Sequence, residues 1–425
     1  MKPTLITNAR LIDPASGRDE IGSILFDTSI LDIGPRITAP NATTIDAQGA
    51  CLMPGLIDMR VVVGEPGAEH KETFKSAGRA AVAGGVTTFV MAPNTTPVLD
   101  DASLIDFVLH RAPERSPAHI LPAAALTRGL AGEVMTEMGL LKEAGAVMFS
   151  NGDAPITDSR VLRRALSYST AFDALVAHRP EDPFLAAAGV MHEGELAARL
   201  GLPGIPAAAE FIAAERDLAL AELTGARLLL DMISSARTLE PLARAKDRGV
   251  KASASVSVHH IALNEQDVDG YRTFAKLSPP LRTESDRAAL ADAISTGLID
   301  VIVSGHDPRP AEEKRLPFSE AASGAAALEM LLPGALTLHH NGVAALIDVV
   351  RAMTLNPATL LGLPHGRLAK GAPADIILVD LGAPFRASAA KLKSKSKNTP
   401  FDEKLMQGRV RRTFVSGACV YEGSD

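Results

Sequence analysis

The sequence predicts an α/β protein, a TIM-like (β/α)8 barrel with a small β-sandwich domain formed by the N- and C-terminal segments. Two observations lead to this fold class. Between residues 54 and 363, short apolar runs alternate with longer stretches rich in Ala, Glu and Arg, which is typical of repeated βα units. About 300 residues of such units match the size of a closed parallel barrel. Strand-like patterns broken by Gly, Pro and Asn flank this part on both sides.

The elements follow in chain order. Residues 1–53 contain the alternating runs TLITNARLID, SILFDTSILDIG and TTIDAQGACLM, which indicate the first part of the small β domain. Residues 54–363 form the barrel, with pairs such as VTTFVMAP followed by ASLIDFVLHRA. Residues 364–425 return to strand patterns in ADIILVDLG and RVRRTFVSGACVYEG. Neither end is long enough for a large sheet, so we expect the two ends to share one domain.

The composition excludes several classes of protein. The formal net charge is −7 and hydrophobic residues make up 46% of the chain, so a large core is expected and a nucleic-acid partner is not. We expect no membrane role, because no apolar run is long enough to span a bilayer. The opening MKPTLITNARLID lacks a signal-peptide pattern, which predicts a cytoplasmic protein. Two cysteines are too few for a disulfide framework or a thiolate zinc site.

One motif is more informative than the rest. Residues 54–67 read PGLIDMRVVVGEPG and resemble the dihydroorotase signature PGLIDxHVHLREPG of the amidohydrolase superfamily. The resemblance extends over nearly the whole chain. It is carried by AAVAGGVTTFVMAPNTTPV, GAVMFSNGDAPITDSRVLRRAL, AGVMHEGELAARLGLPGIPAAAE, KLSPPLRTESDRAAL, GLIDVIVSGHDPRPAEEK and KSKNTPF. It implies an amidohydrolase barrel whose active relatives hold zinc at the carboxyl ends of the strands.

Most positions of the family's zinc ligands carry other residues here. The two histidines of the signature correspond to Arg60 and Val62, neither of which has a lone pair for a metal. The bridging carboxylate corresponds to Gly152, with Asp153 one position later. Met232 stands where the family has a later histidine, and its neutral thioether is a poor zinc donor. We therefore expect no metal and no other cofactor.

The catalytic position is altered in the same way. The family's general acid and base corresponds to Gly305 in VSGHDPR, and His306 and Asp307 follow it. A carboxylate displaced to position 307 should serve catalysis poorly. His178 matches a family metal histidine and is retained; if any metal binds, His178 and Asp153 are the expected ligands. Alone, however, His178 is interpreted as a hydrogen-bonded histidine of the barrel mouth.

Residues that hold substrate in the family are retained only in part. Asn94 persists, whereas the family's arginine is Gly64, its asparagine is Ser278 and its last histidine is Arg309. Losing the arginine removes a bidentate grip on a substrate carboxylate. The resemblance therefore predicts a vestigial pocket with no catalytic residue, in which Arg60 replaces the metal's positive charge and pairs with Asp153, Asp307 or Asp58. That pocket comprises Arg60, Asn94, Asp153, His178, Ser278, His306, Asp307 and Arg309.

Two further features are interpreted as structural. His259 and His260 follow a predicted strand and have a family counterpart; we expect them to stabilise a loop. Residues 391–398, KLKSKSKN, form a basic run that we interpret as a solvated loop rather than a phosphate or partner site.

Three functions fit these observations. The leading hypothesis is a non-catalytic dihydroorotase-like subunit that supports aspartate carbamoyltransferase in pyrimidine synthesis, as family members lacking metal ligands do. Its interface is expected on barrel-mouth loops around residues 150–160 and 307–320. The alternative is a working cyclic amidohydrolase that converts carbamoyl aspartate to dihydroorotate with one unusual metal, bound by His178 with Asp153, His306 or Asp307. A metal-free small-molecule sensor is the third. A homo-oligomer is compatible with all three.

Overall fold

The small domain is one eight-stranded sheet built from both ends of the chain. The computed structural model describes residues 2–423. The N-terminal strands are β1 Thr4–Asp13, β2 Arg18–Phe26, β3 Ile30–Gly34, β4 Thr43–Asp46 and β5 Cys51–Pro54. In the middle of the sheet, β5 pairs antiparallel with the first C-terminal strand, so that Cys51 lies opposite Val379. The expected sharing of one domain by both termini is therefore confirmed.

The barrel follows directly after β5. Its strands, together with a separate two-stranded ribbon, are β6 Leu56–Val61, β7 Val86–Met91, β8 His119–Ala125, β9 Met148–Ser150, β10 Leu175–His178, β11 Met191–His192, β12 Gly204–Ile205, β13 Arg227–Leu230, β14 Ala252–Ser257 and β15 Val301–Val303. All except β11 and β12 pair in parallel in the order β15-β14-β13-β10-β9-β8-β7-β6. The N–H of Val62 donates to the carbonyl of His306 at 2.8 Å and joins the two ends of the sheet. The predicted barrel is confirmed.

The remaining strands complete the small domain. They are β16 Ile376–Arg386, β17 Leu405–Val415 and β18 Ala418–Glu422, and the sheet runs β18-β17-β16-β5-β1-β2-β3, with β4 beside β1. Phe26 of β2 and Phe414 of β17 are separated by three strands, yet their ring centroids lie 5.1 Å apart in an edge-to-face contact. The sheet must therefore fold over itself, as in a sandwich, and enclose its own apolar core.

Helices cover the outside of the barrel. They are α1 Phe74–Ala83, α2 Ala102–Arg115, α3 Met138–Glu143, α4 Ser159–Ser169, α5 Pro183–Ala186, α6 Glu195–Leu200, α7 Ala208–Thr224, α8 Leu239–Asp247, α9 Val258–Ala262, α10 Glu284–Ser295, α11 Ala311–Lys314, α12 Leu331–His340, α13 Leu346–Met353 and α14 Leu355–Leu361. Side chains such as Met59, Val90, Leu229 and Val303 fill the barrel interior. In the part of the chain described, no helix is long and apolar enough to cross a bilayer.

Candidate functional site

The carboxyl ends of the barrel strands surround one small cavity. It is lined by Arg60, Val62, Asp153, Met232, Ser257, His259, His260, Leu277, Ser278, Gly305, His306, Asp307 and Gly324. Ten of these residues were singled out in the sequence, at or beside family positions; His178, Asn94 and Arg309 lie outside the lining. The cavity volume is about 20 Å³, room for about one water molecule. Small-molecule pockets usually measure about 300–1,000 Å³, so this cavity is far smaller than a substrate site.

Arg60 lies at the end of β6 and points into the barrel. Its side chain is only 5% exposed. One guanidinium nitrogen lies 2.5 Å from Asp153 Oδ1 and another lies 3.3 Å from Asp231 Oδ2. Burial by itself would lower the pKa of Arg60, but the charges of Asp153, Asp231 and Asp307 outweigh that effect. The net pKa lies above the usual value, so the guanidinium group stays charged. A fixed cation therefore stands where the family has its first zinc histidine.

The sequence-based pairing hypothesis for Arg60 is right for one partner. Asp153 pairs with it, whereas Asp307 acts on it only through its charge. Asp58 is directed elsewhere, because its Oδ1 accepts the backbone N–H groups of Arg60 at 3.1 Å and Ser304 at 3.2 Å. Burial raises the pKa of Asp58 to about 6. Asp58 therefore fixes the backbone where the barrel sheet closes.

A second buried arginine escaped the sequence analysis. Arg179, 3% exposed, donates to Asp153 at 3.1 Å, to Glu181 at 2.8 Å and to Ser278 Oγ at 2.6 Å. Partial burial opposes ionisation of Asp153, whose side chain is 36% exposed, but the charges of Arg60 and Arg179 hold the pKa of its carboxyl below the usual range. Asp153 is thus an anion shared by two guanidinium groups, and Ser278 Oγ accepts from one of them.

His178 keeps both ring nitrogens occupied. Its Nδ1 lies 2.6 Å from Asp217 Oδ2 of α7, and its Nε2 accepts the backbone N–H of Ile156 at 3.0 Å. The proton is therefore assigned to Nδ1, because Nε2 must accept. The lone pair that a metal would need is directed at a backbone amide. His178 lies at the barrel mouth and fixes the loop after β9.

His306 and Asp307 turn away from each other after β15. His306 Nδ1 accepts the N–H of Ala327 at 3.0 Å, and its Nε2 lies 3.5 Å from Glu72 Oε2 with both side chains fully buried. Asp307 pairs instead with Arg309 at 2.6 Å. Burial raises the pKa of Asp307, against the opposing charge of Arg309. The structure therefore does not bring these two residues together as a ligand pair.

The basic run at residues 391–398 forms what we call the C-terminal strap. Its lysines are exposed, whereas Leu392, Ser394 and Ser396 are buried, so the interpretation as a solvated loop is right for the lysines and wrong for the residues between them. The alternation has the period of an extended chain, with small polar side chains directed inward. Ser394 Oγ and the N–H of Lys395 donate to Glu72, the carboxylate that faces His306. The strap thus fastens the C-terminal segment over the barrel mouth.

His259 and His260 lie at the start of α9 and are both buried. His260 lies between Ser257 Oγ at 2.7 Å and the carbonyls of Pro279 and Pro280, each at 3.2 Å. The ring of His259 stacks on Phe401 with centroids 5.5 Å apart. Burial lowers the pKa of His259 to about 3 and that of His260 to about 4, so both are neutral at physiological pH.

The backbone itself leaves no space for two of the family's side chains. A Cβ atom at Gly64 would lie 2.1 Å from the carbonyl oxygen of Ala68. Gly305 has a φ of +62°, and a Cβ there would lie 2.9 Å from the Cβ of Ser257. An arginine at position 64 or an aspartate at position 305 therefore requires the surrounding backbone to move. Asn94, which is retained, lies beside the loop at Gly152. A Cβ atom added at Gly152 would lie 3.4 Å from the Cβ of Asn94.

The residues at this mouth do not fit the family's zinc centre. A catalytic zinc ion takes three protein ligands and keeps one open position. Arg60 and Val62 offer no donor, Met232 offers a neutral thioether, and the free nitrogen of His178 is occupied. A dication would also lie beside the permanent charges of Arg60 and Arg179. The site supplies a closed ion-pair network instead.

The chain was compared with known proteins. The family model for dihydro-orotase-like proteins matches residues 49–238, and the amidohydrolase family model matches residues 212–420. Dihydroorotase from Pelobacter propionicus is 42% identical over 98% of this chain and 99% of its own length. Dihydroorotase from Syntrophotalea carbinolica is 39% identical over 99% of each. Among solved structures, L-hydantoinase from Arthrobacter aurescens superimposes with a TM-score of 0.90, covering 100% of this chain and 97% of that one.

The hydantoinase shares 24% sequence identity with this chain, so that likeness supports the fold alone. The two dihydroorotases, at 42% and 39% identity, align with this chain over almost its whole length and theirs. The chain therefore belongs to the dihydroorotase-like family of the amidohydrolase superfamily.

Proposed function

We propose that this protein is a non-catalytic dihydroorotase homologue that supports aspartate carbamoyltransferase in pyrimidine synthesis. The observation that carries the first half of the proposal is the buried ion-pair network of Arg60 with Asp153 and Asp231 at the family's metal position. Hydrolysis of a cyclic amide needs an activated water and a group that moves a proton. Here the activating cation is replaced by a guanidinium group, which has no open coordination position.

The group that would move the proton is also missing from its family position. Gly305 stands at the position of the family's acid and base, and the neighbouring Asp307 is held by Arg309 at 2.6 Å. A cavity of about 20 Å³ also leaves no room for carbamoyl aspartate or dihydroorotate. These features support a loss of both substrate binding and catalysis.

The second candidate is an active cyclic amidohydrolase that interconverts carbamoyl aspartate and dihydroorotate. The comparisons favour it more directly, because the relatives near 40% identity over the whole chain are named dihydroorotase. It requires the mouth to open, His178 to release the N–H of Ile156 and a metal to bind beside Asp153. Two arginines would have to leave Asp153 for this to happen.

The two candidates are separated by one activity assay. The purified protein is incubated with carbamoyl aspartate at high concentration, with and without zinc, beside an active dihydroorotase. The first candidate predicts no turnover in either condition. Zinc-dependent turnover that disappears in a His178→Asn variant would establish the second candidate and overturn the first.

The partner is proposed on the resemblance, and the exposed surface of the mouth supports it. Phe184 in the segment after β10 is 82% exposed, and Leu316 in the segment after β15 is 44% exposed. Both follow barrel strands at their carboxyl ends, and Leu316 lies within one predicted interface segment. These two exposed apolar side chains are therefore the ones to alter in a test of a protein contact at this end of the barrel. A homo-oligomer also remains a prediction.

Co-expression with aspartate carbamoyltransferase from the same organism, followed by size-exclusion chromatography, tests the partner. We expect co-elution at micromolar concentration and its loss in a Phe184→Glu/Leu316→Glu variant. Leu405→Glu is the matched control, because Leu405 is 76% exposed but lies on β17 of the small domain. Separate elution of the two unmodified proteins would refute the partner without affecting the activity assay.

A further inference from the structure

A cluster of two histidines and one aspartate lies away from the barrel mouth. His119 is the first residue of β8, Asp375 immediately precedes β16, and His365 lies between α14 and β16. The strand β8 is seven residues long, so its first residue lies about 20 Å from the mouth. The cluster therefore lies at the amino-terminal end of the barrel, where the barrel meets the small domain.

The three side chains converge on one point. The Nε2 atoms of His119 and His365 each lie 3.0 Å from Asp375 Oδ2. One ligand atom from each residue can be chosen so that all three lie within 4.8 Å of one another. The two rings are tilted, with centroids 5.6 Å apart, so neither stacks on the other. Both imidazoles thus direct the same ring nitrogen at the same oxygen.

The contacts of Asp375 with the two imidazoles have hydrogen-bond distances but lack the angles of good hydrogen bonds. Asp375 is 3% exposed, and its Oδ1 accepts the N–H of Ser416 at 2.6 Å. Within residues 2–423, its Oδ2 has no partner at hydrogen-bond angles, and neither does His119 Nε2. A buried carboxylate oxygen without a donor costs free energy unless a partner such as a cation lies beside it.

The distances from the two imidazole nitrogens to the carboxylate oxygen suit a zinc ion. Zinc lies about 2.0–2.2 Å from imidazole nitrogen and carboxylate oxygen. An imidazole nitrogen and the carboxylate oxygen 3.0 Å apart would make an angle of about 90° at an ion that lies about 2.1 Å from each. If the two atoms moved about 0.4 Å further apart, the angle at the ion would be tetrahedral. The ligand atoms His119 Nε2 and Asp375 Oδ2 are themselves buried, but His119 is 35% exposed and His365 is 18% exposed, so a rotation of these two rings would admit an ion.

We propose that His119, His365 and Asp375 bind one zinc ion that joins the barrel to the small domain. His119 belongs to the barrel, whereas the other two ligands belong to the chain that leads into β16. The ion holds these two parts of the fold together and takes no part in chemistry at the mouth. This site is independent of the proposed function, because it stands equally in an active and an inactive homologue.

The test uses the full-length protein after removal of metal with a chelator. Zinc is titrated calorimetrically, and cobalt is added to separate samples as a spectroscopic probe of tetrahedral nitrogen and oxygen ligands. We expect one zinc ion per chain, a rise in melting temperature with zinc, and affinity at least ~100-fold weaker in a His119→Gln/His365→Gln variant. The control variant is His339→Gln/His340→Gln, which alters two adjacent histidines at the end of α12. This variant should bind zinc like the unmodified protein.

Three results would overturn the proposal. The first is no zinc uptake at micromolar concentration, which would leave an ordinary contact between two imidazoles and a carboxylate. The second is zinc binding that persists unchanged in the double variant, which would place the ion elsewhere. The third is equal loss in the control pair. Circular dichroism verifies the fold of each variant, and the single variant His365→Gln, in a connecting segment, provides a milder change with an expected loss of at least ~10-fold.

Discussion

Replacing Arg60 by Met tests whether the ion-pair network stabilises the barrel mouth. The variant removes a guanidinium that is 5% exposed and leaves two carboxylates without it. Asp153 keeps Arg179 at 3.1 Å, and 36% of its side chain reaches water, so it loses little. Asp231 is 4% exposed and keeps one hydrogen bond, from Ser255 at 3.0 Å. Most of the cost therefore falls on Asp231.

Removing one partner of a buried pair costs about 3–5 kcal/mol. Because only one of the two carboxylates is deprived of solvent, we expect Arg60→Met to lower the free energy of unfolding by about 3 kcal/mol. Adding Asp231→Asn should recover about half of that loss, since the uncompensated charge is then gone.

The measurement is urea unfolding followed by far-ultraviolet circular dichroism, because the chain contains no tryptophan. Arg160→Met is the matched control, because Arg160 pairs with Asp158 at 2.9 Å but is 89% exposed. That control should cost less than about 0.5 kcal/mol. A loss below about 1 kcal/mol for Arg60→Met, or strict additivity with Asp231→Asn, would refute the account of the network.

Three further outcomes are expected. The pKa of His259 is lowered to about 3 in the folded chain, whereas a histidine in the unfolded chain gains a proton near pH 6.5. The neutral, buried His259 therefore contributes its full stability above pH 6.5. That contribution is lost as the pH falls toward 3. A His259→Phe variant, which keeps the stacking on Phe401, should show a shallower loss, by up to about 1.4 kcal/mol per pH unit near pH 5, and parallel curves would contradict this. Gly305→Asp should lower stability by about 1–3 kcal/mol without producing turnover, because of the positive φ and the contact with Ser257; a stable, active variant would show that the mouth can reopen. Lys314→Met should cost about 3 kcal/mol in thermal or urea unfolding, since three carbonyls that accept from its Nζ lose their donor, and an unchanged midpoint would mean that water replaces it.

The fold could be predicted from local patterns because the barrel repeats the same unit. Each short apolar run followed by a helical stretch predicted one barrel strand and the helix that packs on it. The strand patterns at the two termini predicted two parts of one sheet. The position of Arg60 followed from the spacing of the signature motif alone. Its partner Asp153 could be named because a buried guanidinium requires a nearby carboxylate.

The rest of the site depends on contacts between distant strands. Arg179 and Asp231 are each next to a family position, directly after His178 and directly before Met232, and attention to the family positions passed over them. A search for charged residues at all strand ends would have found both. The C-terminal strap was misjudged because its lysines dominated the interpretation, although the alternating small residues already had the period of a packed extended segment.

The shared sheet of the small domain also has a consequence for synthesis. The strand β5 ends at Pro54, and its partner β16 begins at Ile376, so 322 residues must emerge from the ribosome before the two can pair. At about 5–20 residues per second this takes roughly 15–65 s. During that interval, the hydrogen-bonding edge of β5 is open to other chains. The small domain is therefore completed late in synthesis, after the barrel residues have emerged and while its sheet still lacks the C-terminal strands.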